Sequence, residues 1–160
     1  MQSRLEIQKV APEAYRAMAA LQAYVSNCGL EVSLLKLMEL RASQINGCAY
    51  CLDMHSKDAR ANGEAEQRLY ALSAWRETPF FTERERAALA WTEALTLIME
   101  THAPDDVYGE ARDQFSAEEL ANLTMAIVAI NGWNRIALGF RTVPGTYQPK
   151  SAVKPQESPA

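Results

Sequence analysis

A chain of 160 residues, 48% of them hydrophobic, is the size of one domain and long enough to bury a core. Its formal charge of −4, with acidic and basic residues interspersed, leaves no basic stripe to hold nucleic acid. The opening residues MQSRLEIQKVAPEAYR lack the apolar block of a secretion signal, and the longest apolar run, Met125 to Ile130, is too short to cross a bilayer; a soluble cytoplasmic protein with no membrane or nucleic-acid partner is expected.

The punctuation along the chain is helical throughout and predicts an all-α bundle of about six to seven helices. Pro12 suits a first turn, and Tyr15, Met18, Leu21, Val25 and Cys28 follow at three- and four-residue steps before Gly29, which makes Cys28 a core residue of the first helix. From Glu31 to Ile45 the residues Leu34, Leu35, Leu37, Met38, Leu40 and Ile45 form a stripe broad enough to be buried on more than one side. Asn46-Gly47 is a turn signal. The Gly- and Pro-free run from Ala49 to Ala61 then predicts a third helix that begins at or near Cys48 and stops at Asn62-Gly63.

A short helix from Glu64 to about Ser73 follows. Thr82 and Glu85 have capping-box spacing and open a helix reaching about Met99, and a shorter one runs from beyond Pro104 to Gln114. Ser116 and Glu119 repeat the box and open the longest element, Ala117 to Arg141, whose middle, LTMAIVAI, is apolar all round. Such a helix belongs at the centre of a bundle or across a subunit interface. One domain is therefore assigned to residues 1–147, and 148–160, with three prolines and no periodicity, to an extended or disordered tail.

The chemistry concentrates in SQINGCAYCLDMH, Ser43 to His55. Cys48, Cys51 and His55 recur at 0, 3 and 7, which on one helix fall at about 0°, 300° and 340°, so both thiols and the imidazole share a face. A thiolate there is favoured by the unpaired N–H groups and the dipole of a helix start. The pair has three readings. Structural zinc needs four ligands, and beyond these three the chain offers only Cys28, His102 or a carboxylate. Inert packed thiols fit poorly with an Asn-Gly turn, while a redox dithiol uses both sulfurs and the nearby proton carrier. His102 reads as solvated, Tyr50 as a packing residue, and Trp75 and Trp91 as core or interface. In the last helix Asn131, Trp133, Asn134 and Arg135 make a polar break, read as asparagines bonded across helices and Arg135 paired with a buried carboxylate.

ELRASQINGCAYCLDMH resembles the signature of the alkylhydroperoxidase D-like branch of the carboxymuconolactone decarboxylase superfamily, and INGWNRIALGFR followed by PG resembles the final helix of its short members. With GEAEQRLYAL and FTERERAALAWTEAL between them, the likeness extends to about Tyr147. It implies an alkylhydroperoxidase D-like helical bundle with no bound cofactor or metal, assembled as a trimer or hexamer. It also implies a peroxidase in antioxidant defence: Cys51 attacks a hydroperoxide, Cys48 resolves the sulfenic acid, His55 shuttles the proton, and a dithiol reductant protein or small thiol regenerates the pair. Thioredoxin-like motifs use the first cysteine as attacker instead, so the order stays open. The family places a glutamate twelve residues before the first cysteine, where this chain has Lys36; Glu39, one turn on, is the candidate to reach the site in its stead. The other class of function is a non-enzymatic redox sensor or scaffold oligomer whose cysteines oxidise without turnover. Lactone decarboxylation leaves the C-x-x-C unexplained.

Assembly is also expected from surface accounting, because a single core wraps at most one of the two helices that are apolar on several sides. Charge at Ile127 or Ile130 is accordingly expected to disrupt folding or assembly.

Overall fold

The computed structural model describes residues 2–149. Nine α-helices and one 3-10 segment follow in order: α1 (Ile7–Val10), α2 (Pro12–Val25), α3 (Val32–Asn46), α4 (Ala49–Ala61), α5 (Glu66–Ala71), the 3-10 segment (Leu72–Glu77), α6 (Glu83–Thr96), α7 (Ile98–Thr101), α8 (Asp105–Gln114) and α9 (Ala117–Phe140). The fold is all-α among the described residues, with more helices than the six to seven expected. The additions are the single-turn helices α1 and α7. α7 arises because Leu97, at φ −98° and ψ 34°, breaks α6, and the Thr101 hydroxyl takes up the Ala94 carbonyl at 2.6 Å. Of the tail segment 148–160, all but Gln148 and Pro149 lies outside the described residues.

α3 is the axis of the bundle, packed against α4, α6 and α9. Its breadth explains this. Leu34, Leu35 and Met38 enter one core with Trp91, Ile127 and Ile130, while Leu37 and Leu40 enter a second with Leu72, Trp75 and Leu89. Each such side chain contributes roughly 1.5–3 kcal/mol by leaving water. Both expected capping boxes form: Thr82 and Ser116 accept from the backbone N–H of Glu85 and Glu119, and each glutamate accepts from its cap residue in return. Indole N–H and threonine hydroxyl groups that enter the core find partners, as in Trp91 to Thr124 at 3.0 Å and Thr92 to the Ala88 carbonyl at 2.7 Å.

The accounting of apolar faces resolves unequally. α3 is wrapped within the one chain, whereas α9 buries Ile127 and Ile130 in the core and leaves Met125 and Val128 exposed. Ile127 and Ile130 therefore belong to folding rather than to an outer surface. Two smaller expectations are corrected. α2 stops at Val25, so Cys28 sits in the turn beyond it, partly buried against the core. Among the described residues Arg135 pairs with no carboxylate; it is exposed and donates to the carbonyl and side-chain oxygen of Asn131.

Candidate functional site

The last turn of α3 sets the position of the cysteines. Gly47 closes the helix at φ 67°, a conformation that favours glycine, with its N–H on the Gln44 carbonyl and the Cys48 N–H on the Ser43 carbonyl at 3.1 Å. Cys48 then becomes the N-cap of α4. Its sulfur occupies the place usually taken by a serine or threonine oxygen and accepts from the Cys51 N–H at 3.3 Å. The two sulfurs lie at disulfide distance, with Cα atoms 5.3 Å apart. They are 1% and 2% exposed, packed with Ala137 of α9 and with Tyr50.

A polar lattice fixes this turn against α9. Asn46 donates to the side-chain oxygens of Asn134 at 2.8 Å and Asn131 at 3.0 Å; Asn134 donates to Ser43, and Ser43 to the Glu39 carbonyl at 2.7 Å. Asn134 is fully buried, so an unmatched amide there would be costly, and the match specifies the register of α3 on α9. The asparagines thus bond across helices as expected.

His55, one turn after Cys51, is 5% exposed. Its Nδ1 lies 3.2 Å from Oε2 of Glu39, an equally buried carboxylate of α3. That is the separation of a contact ion pair, yet the ring does not aim its N–H at the oxygen, and among the described residues neither ring nitrogen has a well-aligned partner. The same Oε2 accepts from Lys36 at 2.8 Å, and Oε1 accepts from Gln22 at 3.2 Å. Burial pushes the Glu39 carboxyl up, but the adjacent imidazole and the Lys36 ammonium outweigh it and bring it down to about 2. Glu39 is an anion at neutral pH.

The structure thus places Cys48 at the start of α4, Cys51 in its first turn and His55 one turn further on, with Glu39 of α3 against His55, and leaves His102 exposed in the loop after α7. Lys36, read from the sequence only as a departure from the family pattern, proves to be the partner of Glu39. The i, i+3 spacing of the two on α3 was the available signal. Gln22 had none, since it reaches the site from another helix. Among the described residues no group of three or more His, Cys, Asp and Glu side chains converges as a metal site, so the C-x-x-C pair is not gathered with further ligands. No helix among the described residues is long and apolar enough to cross a membrane.

A helical bundle closed around a C-x-x-C pair at a helix start defines a class, and comparison with known proteins gives its family. The chain belongs to the carboxymuconolactone decarboxylase family, whose model matches residues 12–94. It is 39% identical over 140 residues to the uncharacterized protein YdfG of Bacillus subtilis, an alignment covering 88% of this chain and 95% of that one. A solved Agrobacterium tumefaciens protein of unknown function, named as a candidate antioxidant defence protein AhpD, superposes with a TM-score of 0.88 at 49% identity, over 91% of this chain and all of that one. The debrominase Bmp8 shares the fold alone, with a TM-score of 0.74 at 19% identity over 84% of this chain and 73% of that one.

Proposed function

We propose that this protein is a thiol-dependent hydroperoxide reductase of antioxidant defence that works through a Cys48–Cys51 dithiol. The observation that carries the reading is the pair of sulfurs at disulfide distance on a helix start, one turn from a buried His55–Glu39 contact. The antioxidant name borne by the Agrobacterium relative points the same way. In the first step the Cys51 thiolate attacks the terminal peroxide oxygen; the O–O bond breaks, the alcohol leaves with a proton, and Cys51 becomes a sulfenic acid. Cys48 then attacks that sulfur, water leaves, and the disulfide forms. His55 takes the thiol proton and returns it to the leaving oxygen, with Glu39 steadying the imidazolium that forms between. Two electrons and two protons from a dithiol protein or small thiol restore the pair.

Cys51 is the assigned attacker because it is one turn from His55, whereas Cys48 is two. Turnover of several hydroperoxides with candidate dithiol reductants tests the reading: Cys48→Ser and Cys51→Ser should each abolish it, and a sulfenic acid trapped by dimedone in Cys48→Ser would locate the attack at Cys51. The near-complete burial of both sulfurs favours a second reading, a redox sensor that oxidises once and changes its assembly. Absence of turnover with stoichiometric oxidation would select it. For either function the exposed Met125 and Val128 on α9 support a homo-oligomer, trimer or hexamer, whose mass by light scattering should be a multiple of 17.8 kDa and should fall in Val128→Glu.

A further inference from the structure

α2 lies along α9, close enough that a Cβ on Gly132 would stand 2.8 Å from the Met18 Cε. Gln22, one turn after Met18, meets Trp133, the next residue of α9. Its side-chain oxygen accepts from the Trp133 indole N–H at 3.1 Å, and its amide nitrogen donates to Glu39 Oε1 at 3.2 Å and to Ser26 Oγ at 3.3 Å. The chemistry of the two ends allows one orientation of this amide. An indole N–H can only donate and a carboxylate can only accept, so turning the amide over would set donor against donor and acceptor against acceptor. Trp133 is itself braced edge-on by the Tyr15 ring, with centroids 5.5 Å apart. Trp133, Gln22, Glu39 and His55 thus make one directed chain from α9 through α2 and α3 to α4.

Glu39 needs such a support because a cation on its own helix competes for it. Lys36, one turn earlier, donates to Oε2 at 2.8 Å and keeps 20% of its side chain in solvent. That same oxygen faces Nδ1 of His55 at 3.2 Å. The last torsion of a glutamate is soft, so a carboxylate tethered by Lys36 alone is free to turn and follow the ammonium outward, away from the imidazole. The bond from Gln22 to the opposite oxygen fixes that torsion from the other side. Three helices then hold the carboxylate against the ring of the fourth.

We propose that Gln22 is a positioning residue for the dithiol reaction: oriented by Trp133, it fixes the Glu39 carboxylate against His55 while the imidazole takes the Cys51 proton. The inference rests on the dithiol reading above and extends the site to α2, a helix that carries neither cysteine nor histidine of the pair's neighbourhood.

The test follows oxidation of the reduced full chain by tert-butyl hydroperoxide, with rapid quenching and alkylation of the remaining thiols. Gln22→Leu keeps the bulk but cannot donate, and should slow the reaction about tenfold, the scale of one hydrogen bond to a charged group. Trp133→Phe frees the amide to turn over and should slow it by a similar factor. In a Glu39→Gln background the same two changes should alter the rate by less than about twofold, because the carboxylate they act on is gone. An unchanged rate in Gln22→Leu overturns the proposal, and so does an equal loss in the Glu39→Gln background, which is what general loosening of the bundle would give. The indole N–H resonances of isotope-labelled protein supply a readout that does not pass through the thiols. The Trp133 resonance, identified by its loss in Trp133→Phe, should move in Gln22→Leu and in Glu39→Gln, while those of Trp75 and Trp91, bonded to Glu93 and Thr124, stay in place. A Trp133 resonance that ignores Gln22→Leu overturns the proposal and leaves the dithiol intact. Cys48 and Cys51 that remain thiols after hydroperoxide treatment, with the Trp133 resonance still responding, overturn the dithiol reading and the part assigned to Gln22 in it.

Discussion

Two carboxylates lie inside this bundle beside cations, and they are used differently. Glu93 on α6 accepts from Arg41 at 2.7 Å, from the Trp75 indole at 2.8 Å and from Arg76, so that its oxygens are occupied from three directions. Burial pushes its carboxyl up, and the bonds from Arg76, Trp75 and Arg41 bring it below the usual range. Glu39 on α3 lies deeper and shares one oxygen between Lys36 and a histidine whose ring nitrogens have no aligned partner among the described residues. A saturated cluster ties helices together. Around Glu39 the carboxylate oxygens are taken by Gln22 and Lys36, and it is the neighbouring His55 ring that, among the described residues, is left without an aligned partner, which supports the proton role proposed for it.

The largest difference should appear in acid. The fall of Glu39 from 4.5 to about 2 corresponds to on the order of 3 kcal/mol of stability. Because the folded value is the lower one, this contribution is complete above the ordinary value of 4.5 and is lost as pH falls through 4.5 toward 2. Urea unfolding of the parent protein and Glu39→Gln between pH 5 and 2 should show the parent losing more by about that amount. The other lowered carboxylates, Glu93 included, cancel in the difference, and parallel pH profiles would contradict the assignment.

Next in size is His55→Ala, which should slow oxidation of the dithiol by about 10²-fold, the usual scale for one positioned acid–base group. An unchanged rate across neutral pH would make His55 as structural as Arg41. The smallest effect is the converse one. Glu93→Gln should lower stability by about 1–3 kcal/mol, since it weakens charge-assisted bonds to two arginines, and should leave the oxidation rate within about twofold. A rate loss matching that of His55→Ala would erase the distinction between the two clusters.

Much of this arrangement was legible from short-range pattern. The two capping boxes, the broad stripe of α3 and the start of α4 at Cys48 all follow from chemistry within a few residues, and all appear. Where sequence reading fell short, the cause was contact at a distance. Arg135 looked like the partner of a buried carboxylate, but on the folded helix it faces outward. The helix count was low because α1 and α7 are single turns whose formation depends on loop bonds such as Thr101 to Ala94. Glu39 could be named as a candidate only through the family resemblance, as the glutamate one turn beyond Lys36. Gln22 could not, because it reaches Glu39 from 17 residues before it. No local periodicity encodes such approaches.

In the proposed function Cys48 and Cys51 form one redox unit separate from Cys28. One equivalent of hydroperoxide added to the fully reduced protein, followed by alkylation and mass spectrometry of the peptides, tests it directly. The expected result is loss of two hydrogens from the peptide carrying Cys48 and Cys51, joined to each other, with Cys28 still alkylated; Cys48 and Cys51 both alkylated while Cys28 is oxidised would contradict the dithiol function.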